Sequence, residues 1–433
     1  MAIEPITVSQ KPTRVRYVVL GLTVLVYLIT YMDRGIISSA APAIQKEFGF
    51  SLITMGWILG LFQWAYAICQ IPGGWLGDRF GPRRTLAGIV VWWSVFTAAT
   101  AMVWSAPSMA VTRFLFGAGE AGAFPNATRS LSRWMLPSER GFAQGLTHAG
   151  ARLGGALTPL IAVGLILAYG WRAPFLIFSA IGVVWSLVWY FYYRDTPEEH
   201  PGVNEAERAL IQDGLGSVRN VAKVSPPWGL ILRSPQMWLL CAMYACYAFD
   251  FGVLLAWFPK YLTSERGFSM QQMGIYASLP LLAGVVGGIA GGTISDRIVA
   301  LTGNLKLARR IIAVGGFILA ALMIPIAVLA PNPVTSVALF CVAVFGLELT
   351  VGISWAVTLD IGDEFAGSVS ALMNTGGNLA GAFATTLTGY VVTLYGWTFA
   401  FYILAALSAV AAVLFLSIDA SRKLVPSPQP RAS

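Results

Sequence analysis

The stretch GGWLGDRFGPRR at residues 73–84 decides the fold, because its core occurs twice in the chain. Its Gly-Gly pair and its Asp-Arg pair return at residues 291–292 and 296–297, at an offset of 218 residues. The tripeptide Gly-Phe-Ser of residues 49–51 returns at residues 267–269 with the same offset. Matches that share one offset indicate an internal repeat.

A second register, at an offset of 226 residues, aligns Tyr-Gly-Trp at residues 169–171 with Tyr-Gly-Trp at residues 395–397. The two offsets are close to half of the 433-residue chain. The sequence therefore predicts two parallel copies of one unit, each about half of the chain.

The composition indicates that the chain lies in a lipid bilayer. Hydrophobic residues make up 57% and charged residues 11%, and the mean hydropathy is +0.69. A soluble domain is usually about one quarter charged. A very apolar chain with two parallel halves is typical of a membrane transporter.

Twelve apolar stretches are long enough to cross ~30 Å of hydrocarbon as helices. The predicted spans are 17–40, 54–76, 85–104, 108–132, 141–168, 172–193, 237–262, 271–295, 309–330, 333–358, 366–394 and 397–418. We therefore expect an all-α integral membrane protein with twelve transmembrane helices in two parallel six-helix pseudo-symmetric halves.

Three regions follow from this division. Residues 1–193 form a first six-helix bundle, residues 194–236 a cytoplasmic linker, and residues 237–433 a second bundle with a tail. In the linker, Asn204 and Glu207 have the spacing of an N-cap and capping box, which predicts a short surface helix.

Basic residues predict the orientation of the chain. They cluster before span 1 and after spans 2, 4 and 8, and the loops on the other side carry few of them. The positive-inside rule therefore places both termini in the cytoplasm. The net charge of +8 is then a topology signal, so no nucleic-acid partner is expected. We expect a multi-pass protein of the cell membrane, the inner membrane in a bacterium, and a monomer.

The N-terminal segment and the four cysteines indicate neither a cleavage site nor a metal site. The first 16 residues are polar and the apolar run after them is long, so no cleavable signal peptide is expected. The four cysteines, Cys69, Cys241, Cys246 and Cys341, lie inside predicted spans without metal-ligand spacing. We interpret them as small core residues and expect neither a metal nor an organic cofactor.

The repeated loop predicts a mechanical latch. Its glycines allow close helix contact, and its aspartate can pair with cationic groups at a neighbouring helix end. The predicted ion-pair and gating residues of the two copies are Asp78, Arg79, Asp296 and Arg297. The alternative is a basic loop that only fixes the topology.

Ionisable residues inside predicted spans are expensive in a bilayer, at ~2.5–3.5 kcal/mol each on insertion scales, and are commonly functional. Five lie in the first half, namely Asp33, Arg34, Arg113, Glu120 and Arg152. Because Arg outnumbers Asp and Glu by one, the set suits an anion site better than a sealed ion-pair network. The alternative is a network that only fixes helix packing.

Spacing assigns these side chains different partners. Asp33 and Arg34 point about 100° apart on a helix, so they do not simply neutralise each other. We expect Arg34 to face a central cavity and grip a carboxylate, and Asp33 to pair with Arg113. Glu120 lies among glycines in an apolar setting that favours its protonated form, so it is a predicted proton carrier.

The repeat also predicts binding residues. His148 and Arg152 correspond to Asn374 and Asn378 in the second half, so both positions keep polar side chains on each side of the pseudo-two-fold axis. A structural, hydrogen-bonded role for His148 is the competing interpretation. With Arg34, the predicted substrate-binding residues are Tyr31, Tyr66, His148, Arg152, Ser354, Trp355, Asn374 and Asn378. Glu348 has no assigned role.

The stretch at residues 73–84 resembles the signature loop of the major facilitator superfamily. YMDR at 31–34, GEAG at 119–122, residues 134–140 and TPEEHP at 196–201 together resemble its anion:cation symporter branch over nearly the whole chain. That branch includes bacterial carriers for hexuronates, glucarate and galactonate, and the animal sialin and vesicular glutamate transporters. The resemblance implies that Arg34 anchors a carboxylate and that Asp33 and Glu120 titrate.

These observations predict a proton-coupled symporter that imports a small organic anion, most of all a sugar acid such as a hexuronate, aldonate or aldarate. An exchanger or exporter on the same scaffold, or a carrier for aromatic carboxylates or dicarboxylates, remains open. A membrane sensor is least favoured, since no signalling domain is attached. An enzyme is not expected, because the only two histidines lie in separate regions and no nucleophile–base set is visible.

Overall fold

The structure is a computed structural model that describes residues 11–136, 139–219, 227–362 and 365–424. Its helices in chain order are α1 (Val15–Phe48), α2 (Leu52–Phe80), α3 (Pro82–Thr100), α4 (Ala106–Glu120), α5 (Ala123–Trp134), α6 (Arg140–Tyr169), α7 (Ala173–Tyr192), α8 (Glu205–Arg219), α9 (Trp228–Arg233), α10 (Pro235–Ser264), α11 (Met270–Thr302), α12 (Leu305–Leu329), α13 (Pro333–Gly362) and α14 (Ala366–Ser417).

The helices form twelve membrane spans. Nine segments of the described chain are individually long and apolar enough to cross a membrane. The last of them, Ser368–Ser417, has 50 residues and turns at Gly396, so it contains two spans. Helix α3 and the consecutive pair α4–α5 complete the twelve. The predicted fold class, an all-α membrane protein with two sets of six spans, is confirmed.

The sequence repeat is also a repeat of backbone geometry. Gly49, which ends α1, and Gly267, which lies in the turn between α10 and α11, both have positive φ, at 66° and 70°. Ser51 then caps α2 by accepting the backbone N–H three residues on, and its counterpart caps α11 in the same way. In the second register, Gly170 and Gly396 have φ of 85° and 79°. Glycine is required at these turns because other residues rarely adopt positive φ.

The fourth span differs from the sequence prediction, which made it one continuous helix. Helix α4 ends at Glu120, and α5 begins after two turn residues. Pro125 supplies no backbone N–H, so the helical hydrogen-bond ladder cannot continue across this point. The side chain of Asn126 donates to the carbonyls of Gly73 and Gly122, at 3.0 and 2.7 Å. The break therefore places Glu120 at the end of a helix in mid-span.

We call the end of the bundle where α1 begins and α14 ends the terminal face, and the other end the opposite face. The halves are closed together at the opposite face. A Cβ on Gly389 of α14 would lie 2.5 Å from the carbonyl oxygen of Leu52 in α2. Beside it, the indole of Trp57 donates to the hydroxyl of Tyr390 at 2.8 Å. Helices α6 and α11 meet equally closely at Gly274.

At the terminal face, α8 is the surface helix that the linker sequence predicts. Its cap is Asn204, whose side-chain oxygen accepts the N–H of Glu207 at 2.9 Å. The Asn204 backbone N–H does not donate to the Glu207 side chain, so the capping-box part of the prediction is wrong. The buried carboxylate of Glu207 instead accepts the backbone N–H groups of Val15 and Arg16, both at 3.2 Å, and so caps α1. This bond ties the linker helix to the first span.

The predicted latch residues lie at the terminal face with separate partners. Arg79 stacks on Trp75, with 5.5 Å from guanidinium to ring centre. Asp296 forms an ion pair with Arg309 at 2.9 Å, and Arg309 also reaches Asp360 at 3.1 Å. The side chain of Arg297 is exposed, and that of Asp78 lies outside the described part of the structure. These contacts stay within one half, and a latch role remains a prediction.

Candidate functional site

A cavity of about 160 Å³ lies between the two halves. Its charged and polar lining residues are Tyr31, Arg34, Ser38, Gln63, Tyr66, Arg113 and Arg152 from the first half and Tyr244, Tyr247, Asn374 and Asn378 from the second. Six of the predicted binding residues, Tyr31, Arg34, Tyr66, Arg152, Asn374 and Asn378, therefore line one cavity. So does Arg113, which the sequence placed in an ion pair.

Arg34 is held at the cavity wall by an acid behind it. Its Nε donates to Glu120 Oε1, and Glu120 itself is fully buried. Two polar atoms of this pair stay free, because Arg34 Nη2 and Glu120 Oε2 have no hydrogen-bond partner among the described residues. A buried guanidinium nitrogen without an acceptor is a ready donor for an anion.

Aromatic rings surround the same guanidinium. Its central carbon lies 4.7 Å from the ring centre of Tyr66, 5.1 Å from Tyr31 and 5.2 Å from Phe62. Ring faces attract cations without taking up their N–H donors. The rings therefore hold the guanidinium of Arg34 in place without using its N–H donors.

Asp33 does not form the ion pair with Arg113 that the sequence analysis predicts. Neither carboxylate oxygen of Asp33 has a hydrogen-bond partner among the described residues, although the side chain is 1% exposed. The Nε of Arg113 is likewise without a partner in that part of the chain, and its guanidinium lies 4.6 Å from the ring centre of Phe116. The prediction failed because Arg113 turns to the aromatic rings and the cavity.

Arg152 is held by acceptors from the other half. Its Nη2 donates to the hydroxyl of Tyr247 at 3.0 Å and lies 3.2 Å from Glu348 Oε2. The Tyr247 hydroxyl donates to Glu348 Oε1 at 2.7 Å. The ring of Phe251 covers the guanidinium at 4.3 Å, and Nη1 has no partner among the described residues. The sequence left Glu348 without a role, and the structure pairs it with Arg152.

Close helix packing positions these groups. A Cβ on Gly154 of α6 would lie 2.3 Å from the carbonyl oxygen of Leu28 in α1, and one on Gly35 would lie 2.8 Å from Thr158. Only glycine permits so close an approach of two helix backbones. The α1–α6 contact therefore fixes Arg34 and Arg152 on two adjoining helices of the cavity wall.

Three predicted binding residues do not line the cavity in this structure. Ser354 is fully buried and donates to the carbonyl of Thr350 at 2.8 Å, so its hydroxyl is already used. The indole of Trp355 donates to the Tyr244 hydroxyl at 3.2 Å. The Nδ1 of His148 lies 2.9 Å from the carbonyl of Gln144 on its own helix, as the competing structural interpretation has it.

Tyr244 and Gln63 line the cavity but were missed. YLITYMDRG at 27–35 aligns with YACYAFDFG at 244–252 in its first Tyr, its Asp and its Gly, but Tyr244 then corresponds to Tyr27, which is not among the cavity-lining residues, so the repeat does not mark Tyr244. In this alignment Asp250 corresponds to Asp33. It is fully buried and accepts the Ser408 hydroxyl at 2.6 Å, away from the cavity lining. No sequence pattern marks Gln63.

Among the described residues, no three His, Cys, Asp or Glu side chains are grouped to hold a metal ion, and the four cysteines are free thiols. The cavity instead is lined by three arginines, each with at least one buried nitrogen that lacks a hydrogen-bond partner in the described chain. Two carboxylates lie behind Arg34 and Arg152. Guanidinium groups of this kind suit the binding of carboxylates and other anionic groups.

A cationic cavity between two six-span halves defines a membrane transporter. Residues 23–385 match the Major Facilitator Superfamily, and the chain belongs to this superfamily. It is therefore a carrier and not an enzyme.

Curated relatives match nearly the whole chain. The "Probable sulfoacetate transporter SauU" of Cupriavidus necator is 39% identical, and the match covers 94% of each chain. The "Probable galactarate/D-glucarate transporter GudP" of Bacillus subtilis is 31% identical over 94% of this chain and 92% of its own.

The fold is also similar to a solved structure, that of a bacterial homologue of the human lysosomal transporter Spinster in an inward-facing, unoccupied conformation. The TM-score is 0.75 at 18% identity, over 96% of this chain and all of the other.

Proposed function

We propose that this carrier is a proton-coupled symporter that imports a small organic anion, most of all a sugar acid, by rocking its two halves around the central cavity. The observation that carries the proposal is the Arg34–Glu120 pair. A cavity-facing guanidinium with one free nitrogen is bonded to a buried acid that a proton can neutralise.

Proton and anion are coupled through this pair. An ionised Glu120 competes with the substrate carboxylate for Arg34. Protonation of Glu120 removes the competitor and leaves Arg34 with its positive charge for the substrate. By linkage, an anion bound to Arg34 favours protonation of Glu120 to the same extent. Asp33 is the second coupling acid, since its buried carboxylate has no hydrogen-bond partner in the described chain.

The proton gradient sets the direction of transport, and the orientation sets which face is closed in this conformation. The basic clusters lie at the terminal face, which the positive-inside rule places in the cytoplasm. The closed opposite face is then the outer face, so the cavity is closed to the outside in this conformation. Protons load Glu120 and Asp33 from outside with the anion, and both leave to the cytoplasm after the halves have rocked.

The proposed substrate class rests on the residues that line the cavity and on the relatives of the chain. Hydroxyl and amide groups of Tyr66, Asn374 and Asn378 suit the hydroxyls of a sugar acid. A glucarate carrier among the relatives supports this choice.

A second candidate is sulfoacetate, which carries a carboxylate and a sulfonate. It is favoured by Arg152, whose free nitrogen gives the same cavity a second anion-binding group. The 39% identical relative named for sulfoacetate transport supports it as well.

The test is uptake by the purified protein in proteoliposomes. Labelled glucuronate, galactonate, glucarate and sulfoacetate are offered with and without an inward proton gradient, to wild type and to Glu120→Gln. We expect one of them to accumulate in wild type only when the gradient is present. In Glu120→Gln we expect binding to persist and gradient-driven accumulation to be lost.

Three other outcomes decide against the proposal in different ways. Accumulation that ignores both the gradient and the variant rejects proton coupling. Uptake that occurs only against a counter-anion inside the vesicles identifies an exchanger. Binding without uptake or exchange supports the sensor.

A further inference from the structure

Two arginine–carboxylate pairs border the cavity, and they differ in what they join. Arg34 and Glu120 belong to α1 and α4, which lie in the same half. Arg152 and Glu348 belong to α6 and α13, which lie in different halves. When the halves rock, the first pair moves as one body, whereas the second must stretch or break.

We propose that Glu348 is an internal counter-ion that takes the place of a substrate anion on Arg152. In the empty carrier it neutralises Arg152 across the boundary between the halves and so stabilises the closed opposite face. In the loaded carrier an acidic group of the substrate displaces it. This role rests on the carrier function proposed above. It adds the contact through which a filled or empty substrate site changes the relative position of the two halves.

The position of the pair supports this role. Arg152 and Glu348 line a small space together with Tyr31 and Phe251, and those two residues and Arg152 also line the central cavity. Phe251 also lines a further, mostly apolar space, and Pro159 lines the same space. Because Pro159 packs against α11 at the closed opposite face, the pair lies where the cavity ends and that closed contact begins.

Glu348 is built into its half as a fixed acceptor. It is 1% exposed, and its Oε1 accepts the Tyr247 hydroxyl at 2.7 Å. A Cβ on Gly284 of α11 would lie 3.0 Å from its Cγ, so that helix covers it closely. A buried ionised pair is stable while both partners are present, and removing one partner leaves a charge that favours access to water. Opening the opposite face gives that access.

Distances between spin labels test the proposal without any substrate. Cysteines replace the exposed Lys46 and Glu265, which lie at the opposite face in different halves, in a background without the four native cysteines. We expect the empty wild type to give a short distance. Glu348→Gln and Arg152→Gln each lose that short-distance population, because each leaves one buried charge unpaired.

Three further variants separate charge from structure. The double variant Arg152→Gln with Glu348→Gln has no unpaired charge and regains the short distance, and Glu348→Asp keeps it. Glu120→Gln is the matched control, since its pair lies within one half, and it leaves the distance unchanged. A wild-type distance in Glu348→Gln overturns the proposal. So does a lengthening that persists in the double variant, because it would reflect the lost side chain and not the charge.

A second readout uses whichever anion the wild type accumulates. Glu348→Gln exchanges internal for external anion at the wild-type rate, because the loaded carrier needs no internal counter-ion. It accumulates the anion faster than wild type, because the empty carrier is no longer held with its opposite face closed and returns sooner. Net accumulation at the wild-type rate in this variant contradicts the proposal. If no anion is transported, the proposed symport fails, and the label distances still decide on Glu348.

Discussion

At the residue scale, two acids of the first half are equally buried but are held differently. Asp33 is 1% exposed with no hydrogen-bond partner in the described chain, and Glu120 is fully buried in an ion pair with Arg34. An unpaired buried carboxylate is most stable in its neutral form, whereas a paired one stabilises its partner's charge. The two acids should therefore respond in opposite ways to neutralisation.

Thermal unfolding of the detergent-solubilised protein measures this difference. Asp33→Asn removes no ion pair, so the Tm stays at the wild-type value or rises. Glu120→Gln leaves Arg34 buried without its counter-ion, and breaking such a pair typically costs ~3–5 kcal/mol, so the Tm falls. An equal fall in both variants would mean that Asp33 is also held by a cation in the folded protein.

The sequence predicted the charged residues of the site better than their partners. Asp33, Arg34, Glu120 and Arg152 were recognisable because a charge inside an apolar span is expensive and rarely idle. The Asp33–Arg113 pair was wrong because helical spacing gives the direction of a side chain and not the neighbour that it meets. The Arg152–Glu348 pair joins residues 196 positions apart, and no local pattern indicates such a contact.

At the element scale, the helices could largely be predicted, and their contacts could not. Apolar length marks each span, and a positive-φ glycine marks the repeated turns. The break after Glu120 was missed because residues 108–132 have the length of a single span and were taken as one continuous helix. Its causes, Gly122 and Pro125, were visible, but whether a proline bends or interrupts a helix depends on the groups that satisfy the freed carbonyls. Here the side chain of Asn126 donates to the carbonyl of Gly122 at the break and to that of Gly73 in α2.

The α2–α4 contact gives a prediction at this scale. A Cβ on Gly117 would lie 2.2 Å from the backbone carbonyl oxygen of Phe62, and a backbone atom cannot move aside cheaply. Gly117→Ala should therefore push α4 away from α2 and lower the Tm. Gly164→Ala is the matched control, because Gly164 lies in α6 with nothing within 4 Å of its Cβ position.

In an open helical position alanine is better than glycine by roughly 0.5–1 kcal/mol, so Gly164→Ala should keep or raise the Tm. Because Gly117 lies one turn before Glu120, the displaced helix also carries Glu120 away from Arg34. Gly117→Ala should then transport poorly. A wild-type Tm and full transport in Gly117→Ala would contradict the close contact.

At the scale of the whole molecule, a symmetric scaffold carries an asymmetric site. The two halves repeat their turns, yet Arg34 of the first half corresponds to Phe251 in the second. The three cavity arginines all come from the first half, and the second contributes tyrosines, asparagines and the acid Glu348. The positive charge of the cavity is thus concentrated on one body, and in our proposal the other body supplies the acid that responds to a filled site.

The closed opposite face predicts a variant that opens it. A Cβ on Gly389 would already lie 2.5 Å from Leu52, so Gly389→Trp cannot fit between α2 and α14. The halves should separate at that face, and the label distance between positions 46 and 265 should lengthen. Transport should stop while substrate binding survives. If Gly389→Trp gives the same label distance as wild type, α2 and α14 are already separated in the wild-type protein in solution.

The net charge moved in one transport cycle is the number of protons carried by Asp33 and Glu120 minus the number of negative charges on the anion bound at Arg34. If Asp33 and Glu120 each carry a proton, uptake of a monovalent anion moves one net positive charge inward, and a dianion moves none. An inside-negative potential of 100 mV then adds ~2.3 kcal/mol, or about 50-fold, to the accumulation of the monovalent anion.

A potassium gradient with valinomycin imposes this potential on proteoliposomes without changing the pH. Accumulation of a monovalent sugar acid should rise with the potential in wild type. Asp33→Asn leaves one coupling acid, so any residual uptake of that anion should be insensitive to it. A wild type that ignores the potential for a monovalent anion uses one proton, and then only Glu120, bonded to Arg34, remains as the coupling acid.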